Sequence, residues 1–362
     1  MQTAIPYMQF RGGSSKGVYF LASDLPDDET LRDKVLLAIM GGGDIRQIDG
    51  LGGAHPLTSK IGIVGPSSRD DSDIDYLFVQ AVVGEDRVDT TPNCGNILAG
   101  IGPFAIEKGL ISAAEGETIV RVYMVNSGNR CEIKVRTSNG KVQYQGDASI
   151  DGVPGMAAPV LCNYMDLEGS ACGMLLPTGN VVDVINGIDV TCVDNGMPVA
   201  VLRANDFGIS GYETADELNA NTELKEKLES IRLKIGPLMN LGDVSDKVVP
   251  KMSLISLPKH GGHICTRTFI PHVCHTSVGV LGAVSVATAC IMPGSVAKDI
   301  ALVPDGSPKN LSVEHPSGEF SVSLEIGGEV DAPNVIRAGL LRTARLLSKG
   351  ETYIPSYIWK GK

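Results

Sequence analysis

The sequence predicts an α+β protein made of two similar domains, each a curled sheet around a central buried helix. Three observations carry that expectation. First, 43 Gly and 20 Pro in 362 residues punctuate the chain into many turns and short β-branched runs. Second, two segments repeat one plan, TPNCGNILAGIGPFAIEKGLI around Cys94 and IPHVCHTSVGVLGAVSVATACIM around Cys274. Each sets a proline shortly before a cysteine, then a small polar cluster, then an apolar Gly/Ala-rich helix. The cysteines lie 274 − 94 = 180 positions apart, about half the chain, which points to a duplication with domains over 1–180 and 181–362. Third, both helices are apolar on nearly every side. One carries Ile97, Leu98, Ile101, Phe104, Ala105 and Ile106, the other Val278, Val280, Leu281, Val284 and Val286, so each must be buried rather than laid on a surface.

Taken in chain order, Leu31, Val35 and Ile39 share one face of a helix over 29–40, and Gly41 stops it. Residues 76–83 and 120–125 are β-branched or aromatic and read as strands. CEIKVRT and KVQYQG flank Asn139-Gly140, the pair that a tight hairpin turn prefers. Leu224, Leu228, Ile231 and Ile235 repeat at helical spacing over 222–235, with Gly236-Pro237 as the stop. The same logic, through Ile336, Leu340, Ala344 and Leu347, predicts a last helix over 333–349, opened by Pro333, closed by Gly350 and free to pack across onto the first domain.

Apolar residues make up 43% and charged residues 20%, a globular composition that excludes a disordered chain. Asp and Glu number 42 against 31 Lys and Arg, and the net charge of −11 has the wrong sign for coating nucleic acid or an anionic membrane. Any anionic ligand must then be held by a local cluster of donors. The first residues lack the basic and continuous apolar stretches of a secretory signal. No membrane-spanning run of about 18 apolar residues follows, so a cytoplasmic protein is expected. Its eight cysteines, without a CxxC pair, are expected as free thiols there.

Four stretches could carry chemistry. Asn93-Cys94-Gly95-Asn96 opens a buried helix, where the first N–H groups lack intrahelical partners and the positive dipole end favours anions. That setting lowers a thiol's pKa and also binds carboxylate, so Cys94 is either an acid, base or nucleophile or a small core thiol. Arg11-Gly12-Gly13-Ser14-Ser15-Lys16-Gly17 joins glycines that permit close backbone approach to two hydroxyls and two cations. It reads as a carboxylate cradle or a plain glycine turn, without the spacing of a nucleotide-binding P-loop. Lys60, next to Ser59, lies between a polar turn and the apolar run Ile61, Ile63 and Val64. Partial burial there favours the free amine, a usable proton acceptor; the alternative is a solvent-facing strand edge.

The fourth stretch, residues 260–275, holds His260, His263, Cys265, His272, Cys274 and His275 and raises a metal site. HExxH and paired CxxC spacings are absent, however, and an anion-binding helix N-terminus with Arg267, His272, His275, Thr276 and Ser277 fits better. Asn126-Ser127-Gly128-Asn129 and Pro177-Thr178-Gly179-Asn180 carry further donors in what read as ordinary turns.

With RGGSSKG, the lysine of LTSKIGIVG, PNCGN and RTFIPHVCHTS in that order, the chain resembles the PrpF/methylitaconate isomerase family, which has the diaminopimelate epimerase-like fold. The resemblance spans essentially the whole chain. It implies two domains of mostly antiparallel sheet, each curled around its helix, with the active site in the cleft between them. It implies proton transfer by the residues matching Lys60 and Cys94, substrate contacts from the RGGSSKG loop, and no metal, flavin or pyridoxal phosphate. The implied reaction is cofactor-independent isomerisation of a small-molecule tricarboxylic keto acid, a 4-oxalomesaconate of gallate degradation. Aconitate-type acids, or service as accessory partner of an aconitase-like dehydratase, are the alternatives. Nucleic acid and membrane are not expected partners, and a homodimer is compatible with this reading. Cys274, followed by His275-Thr276-Ser277-Val278, departs from the Cys-Gly-Thr-Gly type motif of the two-thiol racemases, which argues against a symmetric epimerase.

Overall fold

The computed structural model describes residues 1–90, 93–329 and 332–362, which form two compact units, residues 1–164 with 341–362, and residues 165–340. The first unit contains β1 (Gln2–Gly12), β2 (Ser15–Leu21), α1 (Glu29–Met40), β3 (Lys60–Pro66), β4 (Ile74–Ala81), β5 (Val88–Asp89), α2 (Gly95–Glu107), β6 (Gly116–Met124), β7 (Arg130–Ser138), β8 (Lys141–Val142) and β9 (Pro159–Met165). β1 with β2, β3 with β4, and β6 with β7 pair antiparallel, while β2 with β3 and β4 with β6 pair parallel. β9 pairs with β7, and the C-terminal strand pairs with both β1 and β9, so the sheet closes on itself.

α2 runs inside this ring against β1, β2, β3, β4, β7 and β8, and every residue from Ile97 to Ile106 is buried. α1 covers the outside, its Val35, Leu36, Ile39 and Met40 packed with Val18, Phe20, Ile61 and Ile63. Asp28 caps α1 by accepting from Leu31 N at 2.8 Å, and Gly41 ends it at φ 92°. Asn139 and Gly140, at φ 52° and 73°, form the expected hairpin turn.

The second unit places β10 (Asp183–Ile185) ahead of β11 (Ile188–Asp194), β12 (Pro198–Arg203), α3 (Ala215–Ala220), α4 (Thr222–Leu238), β13 (Lys251–Ser256), β14 (Ile264–Phe269), α5 (Val280–Ile291), β15 (Lys309–His315) and β16 (Gly318–Glu329). β11 with β12, β13 with β14, and β15 with β16 pair antiparallel, and β12 with β13 and β14 with β15 pair parallel. This is the alternation of the first unit, so the repeat extends to the strand pairing. α5, buried from Gly282 to Cys290, packs on β11, β12, β15 and β16, while α3 and α4 cover the opposite face. α4 runs through Gly236-Pro237 to Leu238, a little past the expected stop.

Two expectations change. The helix read over 333–349 is instead β17 (Ala332–Pro355), one strand of 24 residues that pairs antiparallel with β16 through residues 332–340 and with β1 through 344–355. Ile336, Leu340 and Ala344, four apart, satisfy a period of two as well as 3.6, and the strand edges of β16 and β1 decide between them. The helix of the second unit starts later than the repeat suggests. Cys94 is itself the N-cap of α2, whereas the N-cap of α5 is Gly279, 279 − 274 = 5 residues beyond Cys274. The chain is a sheet-rich α+β protein, and none of its described helices is long and apolar enough to cross a membrane.

Candidate active site

The β1–β2 hairpin meets the start of α2. Gly13 takes φ 50° in the two-residue turn, a conformation that glycine adopts without strain. A Cβ at Gly12 would lie 2.4 Å from the Asn96 carbonyl oxygen, and one at Gly17 2.8 Å from the Lys60 carbonyl oxygen. Bare backbone at both positions lets the hairpin close on the helix. Across that contact Asn96 Nδ2 donates to Ser14 Oγ at 3.1 Å, and Ser14 N donates to Asn96 Oδ1 at 3.4 Å. Cys94 is half-buried, and its carbonyl accepts the first intrahelical bond from Leu98 N at 3.0 Å. The N–H groups of Gly95 and Asn96 belong to the turn that has no intrahelical acceptor, at the positive end of the dipole. Ser15, 2% exposed, shares its face of β2 with Gly17 and Tyr19, and its hydroxyl has no partner among the described residues.

Lys60 opens β3 on the face turned to α2, shared with Gly62, where a Cβ would lie 3.2 Å from Ile101. Its Nζ donates to Gln80 Oε1 at 2.9 Å and sits 5.0 Å from the centre of the Phe78 ring. Gln80 is itself anchored, its Nε2 donating to the carbonyls of Pro56, Ser59 and Ala81. Two residues before Phe78, Tyr76 donates to the Cys94 carbonyl at 3.3 Å. Same-face neighbours along a strand lie about 7 Å apart. One face of β4 therefore carries the contacts of both the Lys60 amine and the start of α2. Burial, with the Cys94 side chain adding to it, pushes the phenols of Tyr19 and Tyr76 well above their ordinary value, so both remain donors. Tyr19 gives its hydrogen to Ile97 O at 2.7 Å.

Asn126, read from sequence as a turn residue, holds the segment that leads to Cys94. Its Nδ2 donates to Phe78 O at 2.9 Å and Thr90 O at 2.7 Å, and its Oδ1 accepts from Phe78 N at 2.8 Å. Asn126→Ala strands these backbone groups and is expected to lower stability by about 1–3 kcal/mol. Urea unfolding reads this directly, and an unchanged midpoint would remove Asn126 from the scaffold of the site.

Other expected contacts are placed elsewhere. Arg11 and Lys16 are cross-strand partners that alternate with Gly12 and Ser15 and so face away from α2. Arg11 Nη1 donates to Gly13 O at 3.0 Å, to Thr343 O at 2.7 Å and to Thr343 Oγ1 at 2.9 Å, tying the hairpin to β17. Ser59 is fully buried and donates to Gln47 Oε1 at 2.6 Å, a scaffold contact. Asn93 is exposed just ahead of α2, while Thr91 and Pro92, which open the repeated segment, lie outside the described residues.

In the second unit, His275 N donates to Thr268 O at 2.8 Å and His275 Nδ1 accepts from Ser277 N at 2.8 Å. Ser277 Oγ lies 3.2 Å from His315 Nε2, and Thr276 is exposed. Cys274 is buried, and its N donates to Asn219 Oδ1 at 2.7 Å. Burial pushes its thiol up to about 11 against the pull of Arg267, the setting of a core thiol. Arg267 itself shares a face of β14 with Phe269, which packs in the core under α4, and donates to Glu213 O at 2.6 Å and Thr266 O at 2.8 Å. His272 is exposed, 3.8 Å from Glu229 of α4. Strand alternation and the turn after β14 thus carry Arg267 and His272 to the α4 side, away from the start of α5. The six His and Cys side chains of 260–275 are dispersed likewise. Among the described residues no three His, Cys, Asp or Glu side chains gather as a metal ligand set.

With this geometry in view, comparison with known proteins defines the class. The family profile described as PrpF protein matches residues 2–355, and the chain belongs to the PrpF family. It is 56% identical over 349 residues to the (4E)-oxalomesaconate Delta-isomerase of Novosphingobium sp., covering 96% of this chain and 97% of that one. It is 54% identical over 360 residues to the 4-oxalomesaconate tautomerase of Pseudomonas putida, covering 99% of each. Among solved structures it matches that of a methylitaconate-delta-isomerase with a TM-score of 0.89 at 34% identity, covering 99% of this chain and 97% of that one.

Proposed function

We propose that this protein is an isomerase of the diaminopimelate epimerase-like fold that moves a proton within a 4-oxalomesaconate-type tricarboxylic keto acid of gallate degradation, without a cofactor. The observation that carries this reading is the Lys60 amine, held on Gln80 and Phe78, on the same face of β4 as the Tyr76 that grips the Cys94 end of α2. The names of the two relatives above supply the substrate class.

A C–H beside an oxalyl carbonyl is acidified because the resulting carbanion delocalises onto oxygen as an enolate, so a modest base suffices. Lys60 takes that proton. The N–H groups of Gly95 and Asn96, with the hydroxyls of Ser14 and Ser15, hold the enolate oxygen and a carboxylate. Donors fixed in advance in this way contribute roughly 3–4 kcal/mol each where they have been removed singly. A proton returned by Lys60 or Cys94 at the new carbon completes the isomerisation with no net change in composition.

Incubation in D₂O with 4-oxalomesaconate, and in parallel with aconitate, tests the reaction by NMR. Deuterium uptake and a shifted isomer ratio are expected with the first acid. Exchange with neither would sink the isomerase reading and favour an accessory binding role. If Cys94 moves a proton, Cys94→Ala lowers turnover by about 10²-fold or more. Full activity in both the Ala and the Ser variant would assign Cys94 to the core.

A further inference from the structure

A cavity of about 80 Å³ lies at the start of β14 in the second unit, with Tyr212, Lys259, His260, Cys265, Arg267 and Glu314 in its walls. The local chain explains how these residues meet. Cys265 pairs with Ser256 on β13 and with Glu314 on β15, and Arg267, two residues on, shares its face of β14. The carboxylate of Glu314 accepts from the N–H groups of Lys259, His260 and Gly262 at 2.8, 2.6 and 2.8 Å, and a Cβ at Gly262 would lie 2.6 Å from Glu314 Cγ. The connection from β13 to β14 is thereby wrapped onto β15, with the exposed Lys259 and His260 at the rim of the cavity. Tyr212, whose hydroxyl donates to Leu257 O at 3.0 Å, has the Lys259 amine 4.9 Å from the centre of its ring.

Arg267 is the charged group of the interior. It is 6% exposed; its Nε donates to Glu213 O at 2.6 Å, and its Nη1 to Thr266 O at 2.8 Å and to Cys265 Sγ at 3.4 Å. Its Nη2 has no acceptor among the described residues. The carboxylates that could neutralise it are engaged by other donors, Glu314 as above and Glu213 by Ser210 N, Ser210 Oγ and Gly211 N at 2.8, 2.8 and 2.9 Å. Neither Arg267 nor Lys259 has an ion-pair partner among the described residues. A guanidinium withdrawn from water is costly unless an anion faces it, and its planar fork suits an oxyanion. The volume admits a compact free ion and is too small for a phosphorylated metabolite.

We propose that this cavity binds a small free oxyanion of the phosphate class, held by Arg267 Nη2 from within and by Lys259 and His260 from the rim. The site is built from the second unit alone and does not rest on the isomerase reading.

Calorimetric titration of the full chain with inorganic phosphate, in chloride at constant ionic strength, tests this. Saturable binding is expected, weakened about 10-fold or more in Lys259→Gln and in Arg267→Gln. Arg267 also holds two main-chain carbonyls, so its variant is read together with a melting curve; Lys259 holds none with its amine, and its variant decides the matter if the other fails to fold. Acetylation by acetic anhydride with peptide mapping locates the ion: phosphate should slow the modification of Lys259 and leave that of the exposed Lys34 unchanged. Absence of phosphate binding, wild-type affinity in Lys259→Gln, or acetylation of Lys259 that phosphate does not slow overturns the proposal.

Discussion

Lys60→Ala is expected to lower turnover of 4-oxalomesaconate by about 10²- to 10⁴-fold, the range that a positioned general acid or base contributes. The fold should survive. β3 keeps its main-chain pairing with β2 and β4, and the side chain contributes one hydrogen bond, to Gln80, and one ring contact, to Phe78. Those two interactions together are worth on the order of 1–2 kcal/mol, well below the catalytic effect of about 3–5 kcal/mol that the same fold-change represents. A melting curve and steady-state rates by NMR separate the two quantities. A folded Ala variant with wild-type turnover would leave the mechanism without its base.

Gly12→Ala carries the second large effect, and through geometry alone. The added methyl would stand 2.4 Å from the Asn96 carbonyl oxygen, 2.9 Å from the Tyr19 hydroxyl and 3.3 Å from Gly100 N. Two of these three atoms are backbone of α2, which is packed inside the closed sheet and has no room to retreat. The hairpin must move instead, carrying Ser14 away from Asn96. Overpacking of this kind typically costs about 1–3 kcal/mol, and a displacement of about 1 Å in a catalytic constellation can cost on the order of 10²-fold in rate. Loss of activity out of proportion to a modest drop in melting temperature is the expected signature. A variant as stable and as active as the parent would show that the hairpin and the helix do not need to touch.

Much of the framework was legible locally. The bounds of α1 followed from its apolar face and its Gly41 stop, each set by residues within a turn of one another, and the structure adds the Asp28 cap. Asn139 and Gly140 specified their turn because few other residues tolerate two positive φ angles in succession. The burial of α2 followed from its having no polar side, and Cys94 stands at its N-terminus as the pattern required. Lys60 was visible as a lysine at the mouth of an apolar strand and Asn126 as a donor in a turn, but the sequence did not show what Asn126 holds, and Gln80, Phe78 and Tyr76, which hold the site in place with it, left no local signal. Each is an ordinary strand or turn residue until β3, β4 and the segment before α2 are brought together.

The sequence alone determined the properties that a residue shares with its near neighbours: helical or strand periodicity, caps, turns and the repetition of a plan in two halves. Only the tertiary structure decided which way a strand residue faces and what it pairs with. That is why Arg11, Lys16 and Arg267, sound candidates by charge, turn away from the central helices, and why residues 332–355 are a strand. A period of four fits both conformations, and the choice was made by β16 and by β1, whose open edge lies more than three hundred positions away in the chain. Backbone hydrogen bonds across such distances depend on which edges the rest of the fold leaves unpaired, a quantity that no local window of residues contains.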